Sequence, residues 1–515
     1  MSDVYSYHTF ILPFVWETGG SVKTMKDMTD IFEKNPFWEN IDLRQEYRMD
    51  STAKIKSDDD AYTFYKEYQY FHPYARKAIY GHAGDIVHNY SFCPERIRNQ
   101  AHYRITKGST TYDLPVNAVE LKIYCTGIAL FILECENHGE NGQNTLAAVK
   151  NINDYGRRIA LPFLPRLKDG YHSICADKLE FIAENLGIAY TDDFRDFAGK
   201  VNNRQDIENT VHLTHTSTFI KNLLTFGSTE SVTSEPKNQE NSGKATHYIY
   251  PALDDRMFVA CWVSDGEAGA ALRDDYNNSP ENSKSLYEFA FVDPAGDCTC
   301  QNGPMRKELL EKHLYTRWMD YGTIYTMTAQ GFMGIGAGIP HLIESFLTQY
   351  IQMCCLCLMQ RASLIHFQRE ASVISERIGE HGKKIRIATI SHLMDLQESF
   401  IAFQSQLSFT EVTPQEQGIE MYDMLMESMF VAKEEEALKS VLDSLYEAAN
   451  TNLDFGFNKW GGIFALVTII LDVYAFSSAI IFGEDANPLN WFSISTAVLA
   501  ACAGIGMGIY HRRRR

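Results

Sequence analysis

Two apolar stretches near the C-terminus, Trp460 to Phe482 and Trp491 to Tyr510, restrict the folds open to this chain more than any other feature. Between them lies a short acidic turn, Gly483-Glu484-Asp485-Ala486-Asn487-Pro488-Leu489-Asn490, and after them His511-Arg512-Arg513-Arg514-Arg515. At about 1.5 Å per residue each stretch can cross ~30 Å of hydrocarbon, and so short a turn permits only a tight return. The pattern predicts a two-helix transmembrane hairpin, with helices at 460-482 and 491-510, an external loop at 483-490 and a basic tail at 511-515. Lys459 and the tail arginines flank a turn without Lys or Arg, which places both chain ends in the cytoplasm. The region before Trp460 is then expected to be soluble and cytoplasmic.

That region is large. A chain of 515 residues with 22% charged side chains has ample material for a soluble core beside a small membrane part. The formal net charge of -19 argues against a surface that coats nucleic acid, so no direct nucleic-acid partner is expected. A local basic pocket for a small anion stays open. Eleven cysteines, without regular spacing and without a secretory signal at Met1, fit free thiols in a reducing cytosol. Cys298-Thr299-Cys300 and Cys354-Cys355-Leu356-Cys357 lack the second Cys or His pair of a structural zinc site, so no metal site is expected there.

Residues 1 to about 110 are rich in aromatics, among them Tyr62, Phe64, Tyr65, Tyr68, Tyr70, Phe71 and Tyr74. With few basic residues between them, they read as a helix packing rings into a core rather than a base-stacking platform. Val119 to Cys125, the turn Thr126-Gly127 and Ile128 to Glu134 predict a β-hairpin. Helices follow near 143-153, 176-186 and 206-224, then a polar loop from Gly227 to Lys244. Strands are predicted at His247 to Tyr250, Arg256 to Val263, Leu286 to Val292 and Thr323 to Thr328, with a helix at 305-320. The fold class is therefore α+β (mixed α/β) for residues 1-339.

From Pro340 a helical stalk is expected through 459: one helix to Ile378, a second through Leu407 and a third opening at Thr413. Thr413-Pro414-Gln415-Glu416 reads as a capping box, and no proline follows until Pro488. Met421, Leu425, Ala432, Leu438, Leu442 and Leu445 approximate a coiled-coil stripe, so one helix of ~100 Å is expected from Pro414 through the first span. Gly331 to Met359 is apolar enough for a third span. Its glycines, Pro340, His341, Glu344, Gln349 and Gln352 favour a buried cytosolic helix instead.

This layout resembles the CorA family of divalent-cation channels: a cytoplasmic α/β domain, long stalk helices, a first span continuous with the stalk and a second ending in a basic tail. It departs from that family where Gly-Met-Asn should stand, which here reads Ile481-Phe482-Gly483-Glu484; Gly506-Met507-Gly508 lies on the other span. A CorA-like hairpin without that motif, joined to an enlarged N-terminal domain, is similar to the membrane effectors associated with type III CRISPR systems. Four segments carry the likeness: Asn153 to Arg158, Tyr250 to Phe258, Gln360-Arg361-Ala362-Ser363 and Thr413 to Gly418. The resemblance implies a homo-oligomer, a pentamer, in the bacterial inner membrane, whose pore is gated by a nucleotide messenger such as SAM-AMP (adenylated S-adenosylmethionine) in antiphage defence. It leaves a divalent cation open as a second ligand.

The residues themselves point to a ligand site. Arg157 and Arg158 follow Gly156 at a helix end and precede apolar residues, where a guanidinium needs an anionic partner. Asp254 and Asp255 stand where a loop enters a strand and can accept from a ribose hydroxyl, an amine or an ammonium. Two readings stand: these four residues bind a ligand, or Arg158 pairs with Asp254 or another carboxylate as a structural bridge. For the pore, Asp472 near the middle of the first span and Thr468 one turn before it share a face, and Glu484 and Asp485 lie at the outer mouth. No Gly-rich phosphate loop, nucleophile elbow or His-Glu-x-x-His motif is present, so no enzyme is expected. The alternatives are a magnesium-type divalent-cation transporter, a passive anchor, and a messenger-degrading enzyme with His212 or His215 as base.

Overall fold

The computed structural model describes residues 4–18, 25–41, 58–81, 86–160, 174–195, 217–228, 232–233, 247–380 and 387–449. The expected hairpin, with Thr468, Asp472, Glu484 and Asp485, lies outside the described residues, as do His212 and His215. The chain forms two compact units: Met1–Ser372 with Asp395–Ser440, and Val373–Met394 with Val441–Arg515.

The first unit is built on a 14-stranded sheet. Its strands are β1 Ser6–Thr18, β2 Trp38–Asn40, β3 Val87–Phe92, β4 His102–Lys107, β5 Thr110–Tyr124, β6 Ile128–Asn137, β7 Lys178–Ala183, β8 Ile188–Asp193, β9 Val232–Thr233, β10 His247–Pro251, β11 Phe258–Ser264, β12 Leu314–Tyr315, β13 Ile324–Met327 and β14 Gly331–Gly336. Along the main path the order is β12-β13-β14-β11-β1-β6-β5-β4-β7-β8. The expected β5–β6 hairpin is present and turns at Gly127, whose positive φ of 78° suits a residue without Cβ. With helices set against this sheet the unit is α+β.

Strand β1 organises the centre. One edge pairs with β6 from Ser6 to Val15, while the other pairs with β11 from Ser6 to Ile11 and with β10 from Phe14 to Thr18. Between those two ladders residues 252–257 leave the sheet. Pro13 gives the reason: its carbonyl accepts from Ala252 N at 3.0 Å on that edge, and its ring nitrogen has no hydrogen to return. The ladder therefore opens opposite Pro13, and the expelled loop carries Asp254, Asp255 and Arg256.

The helix Leu146–Arg157 is capped by Thr145, whose hydroxyl accepts from Ala148 N at 3.1 Å. Its last turn lies against the sheet because Gly156 has no side chain; a Cβ there would stand 2.8 Å from Ile105 Cδ1 and 2.9 Å from Phe10 Cζ. Tyr103 donates its hydroxyl to Gly156 O at 2.7 Å, which holds the helix end over β4.

From Pro340 the chain is helical to Glu380, with a π-turn over Phe346–Tyr350. The segment Pro340–Ile378 has the length and apolarity to cross a membrane, and 61% of its most apolar window is buried within the chain. Residues 350–360 are buried without exception. A second helix, Ile387–Gln406, follows as expected.

Several expectations change. Residues 178–183 form β7 rather than a helix, with Leu179, Phe181 and Ala183 inward at a period of two. The run Lys284–Phe291 is a helix, not a strand; a continuous apolar run does not distinguish the two. The helix expected to reach residue 320 is Gly303–His313 and gives way to β12. Gly331–Gly336 is strand β14, so the apolar stretch to Met359 is not one helix. The capping box does not form: the Thr413 hydroxyl donates to Tyr70 O, and Gln415 is the N-cap of Glu416–Ser428 without a side-chain cap. The expected single rod is broken at Phe430, whose φ of 58° is left-handed, before helix resumes at 431–449. In the aromatic-rich helix Asp58–Tyr70, Tyr68 and Tyr70 are buried with the following Phe71, whereas Tyr62 and Tyr65, and Tyr74 of the next helix Pro73–Tyr80, are exposed.

Candidate functional site

The loop expelled opposite Pro13 meets the end of helix Leu146–Arg157. Arg157 O accepts from Met257 N at 2.9 Å, and Arg158 forms an antiparallel backbone bridge with Arg256. These bonds bring together the two segments that hold all four expected ligand residues. Beside them is a cavity of about 120 Å³ lined by Pro13, Arg157, Leu253, Asp254, Arg256, Met257, Phe258, Ala329, Gln330, Leu358 and Arg361. Arg157 and Asp254 line it; Arg158 and Asp255 do not.

The Arg157 side chain is 3% exposed. It donates from Nη1 to Gln330 Oε1 at 2.6 Å and from Nη2 to Val292 O at 3.2 Å, and Nη2 stands 3.6 Å from Asp154 Oδ1. Its Nε is buried without a hydrogen-bond partner. Burial pulls this guanidinium down to about 10, with Asp154 partly offsetting it, so it remains charged at neutral pH. Val292, which supplies the accepting carbonyl, is a β-branched residue at a φ of 59°, a conformation that costs energy and is held by its surroundings.

Arg158 pairs with a carboxylate of its own helix. Its Nε and Nη2 meet Asp154 Oδ1 at 2.9 and 2.8 Å, one helical turn back. Its partner is therefore Asp154 and not Asp254. Asp254 instead accepts from Arg256 Nε at 2.8 Å and from Arg256 N at 3.3 Å. Burial raises the Asp254 carboxyl, but its bonds with Asp255 and Arg256 outweigh that and hold it at about 2. Asp255 is pushed up to about 7 by burial and by the neighbouring Asp254 carboxylate.

Arg361 and Gln330 complete the cavity. Arg361 lies on the long helix, with a partly buried side chain whose Nε has no hydrogen-bond partner. Burial lowers its affinity for the proton, offset in part by Glu434 and Asp254. A lone arginine among Leu358, Met359, Ala362 and Leu364 was a visible signal in the sequence. Gln330, in the β13–β14 turn, carried none.

Three guanidiniums and one carboxylate thus face a space smaller than the several hundred Å³ of a site that encloses a whole drug-sized ligand. It fits one anionic group, with the rest of a larger ligand outside. Phe258 is the aromatic ring among the lining residues. Arginine is suited to phosphoryl and carboxylate oxygens because its donors form a planar fork.

A second polar constellation joins Ser6, His8 and Asn153. Ser6 Oγ lies 2.9 Å from His8 Nε2, and His8 Nδ1 lies 2.7 Å from Asn153 Oδ1. The order resembles a nucleophilic triad. Both Ser6 and His8 are 0% exposed, and burial pulls the imidazole down to about 4, so it is a neutral strut between β1 and the helix. Among the described residues no group of three or more His, Cys, Asp or Glu side chains is placed to hold a metal ion. Comparison with family models, with curated proteins and with solved structures returns no match.

Proposed function

We propose that this chain is a CRISPR-associated membrane effector in which an anionic nucleotide messenger, of the SAM-AMP class, binds the sheet domain and opens a CorA-like pore formed by the C-terminal hairpin of a homo-oligomer. The observation that carries the reading is the cavity beside the Pro13 break, where the buried Arg157 and the unpaired Arg361 Nε face an opening of about 120 Å³. A phosphoryl group satisfies both guanidiniums, and the remainder of the ligand lies over Leu253, Met257 and Phe258. The pore residues remain those read from the sequence: Thr468 and Asp472 along the first span, with Glu484 and Asp485 at its outer mouth.

Titration calorimetry of the detergent-solubilised protein with adenylated S-adenosylmethionine tests the binding half. Saturable binding that falls at least tenfold in Arg157→Gln is expected. Binding that is unaffected by this substitution overturns the site.

A further inference from the structure

Five separate chain segments reach the cavity: β1 at Pro13, the end of helix Leu146–Arg157, the 252–257 loop running into Phe258, the β13–β14 turn and the long helix through Leu358 and Arg361. Arg157, Gln330 and the loop are already joined by direct bonds, for Arg157 bonds both Gln330 and Met257 N. The long helix is different. Nearby, Gln360 donates to Leu407 O and the Tyr422 hydroxyl, and Ser363 bonds Thr126. Arg361 itself makes no hydrogen bond or ion pair among the described residues, although it shares the cavity wall with Asp254.

The charges explain the missing tie. Facing the cavity are Arg157 from the helix end, Arg256 and Asp254 from the loop, and Arg361 from the long helix. Asp254 is already engaged by Arg256 and Asp154 stands by Arg157, while Glu434 and Asp254 offset the cost of burying Arg361 only in part, so three guanidiniums outnumber the one carboxylate that lines the cavity. Like charges across a partly desolvated gap repel, and an anion between them turns that repulsion into attraction to both sides.

We infer that the bound anion is a latch: one phosphoryl or carboxylate group seated between Arg157 and Arg361 fastens the long helix to the β1–β11 side of the sheet. This rests on the anion reading of the cavity given above and adds what binding does. The ligand supplies a contact that the protein alone cannot make. It therefore orders the helix around Arg361 together with the 252–257 loop, and its chemical class follows from two guanidinium forks, from two separate elements, lining one cavity.

Hydrogen exchange on the full-length protein in detergent, read by mass spectrometry, tests the latch. The probes are adenylated S-adenosylmethionine, AMP and inorganic phosphate, each with binding followed separately by thermal shift. A probe that binds is expected to slow exchange about tenfold or more in peptides covering both 252–257 and 355–365. Arg361→Gln is expected to keep weakened binding and slowing at 252–257 while losing the slowing at 355–365; Arg361→Lys retains the charge and part of the effect. Both variants are compared with wild type by circular dichroism without ligand. A bound probe that leaves 355–365 unchanged, or an Arg361→Gln protein that keeps full slowing there, overturns the latch while the anion site stands. Failure of all three probes to bind overturns both.

Discussion

Asp255 is the residue whose chemistry is most exposed to measurement. Burial and Asp254 push its carboxyl up to about 7, well above its ordinary range. The native state then binds more protons than the unfolded chain between about pH 4 and 7, so this residue makes stability fall as pH rises through that window. Chemical denaturation from pH 5 to 8 is expected to show that slope in wild type and to lose it in Asp255→Asn; an unchanged slope contradicts the assignment. Deprotonation also adds negative charge beside the cavity, among Asp154, Asp254, Arg157, Arg158 and Arg256, so anion affinity should fall over the same range. Arg157→Met is expected to cost about 2–5 kcal/mol of stability, because Gln330 and the Val292 carbonyl lose their donor. At this scale the sequence placed the charged residues well and their partners less well. Gly156 before paired arginines and an Asp-Asp loop were visible signals. The sequence leaves the carboxylate partner of Arg158 open between Asp254 and another; the helix running to Arg157 puts Asp154 four residues before Arg158, on the same face.

Between elements, the joint of helix Leu146–Arg157 to helix Lys284–Phe291 is a buried ion pair, Lys150 Nζ to Glu288 Oε2 at 2.8 Å, with both side chains under a tenth exposed. Glu288→Leu alone strands a buried ammonium and is expected to cost about 3–5 kcal/mol, whereas the pair Lys150→Met with Glu288→Leu should lie near wild type. Equal losses from single and double variants would show that the pair is not coupled. Phe430, half exposed at a φ of 58°, gains little from burial and bears left-handed strain. Phe430→Gly should stabilise by about 0.5–1 kcal/mol; a loss would contradict the break in the helix. Elements with alternating or helical periodicity were readable, as in the β5–β6 hairpin and the long helix from Pro340. Strand β1 was not, since Phe10 to Trp16 is apolar throughout and interrupted by Pro13. The break opposite Pro13, between the β1–β11 and β1–β10 ladders, depends on a partner more than two hundred residues away, which no local pattern records.

At the scale of the molecule, the sheet unit has a cavity lined by three arginines and one aspartate, and the proposed membrane hairpin rests on two apolar stretches of the C-terminal sequence. The α+β class was legible because helical and alternating segments interleave before Pro340. The extent of the sheet was not, because its short strands and crossovers are set by long-range pairing. The cavity was legible only in part: Arg157 and Asp254 announced themselves and Arg361 stood out as a lone charge in an apolar run, but its place beside them, and Gln330 altogether, come from tertiary packing. The most direct test of the account is ion flux from proteoliposomes holding the full-length protein, measured with and without adenylated S-adenosylmethionine. Flux that requires the ligand, disappears in Arg157→Gln and changes cation selectivity in Asp472→Asn is the result the account predicts. Flux indifferent to the ligand, or ligand binding that produces no flux, would contradict it.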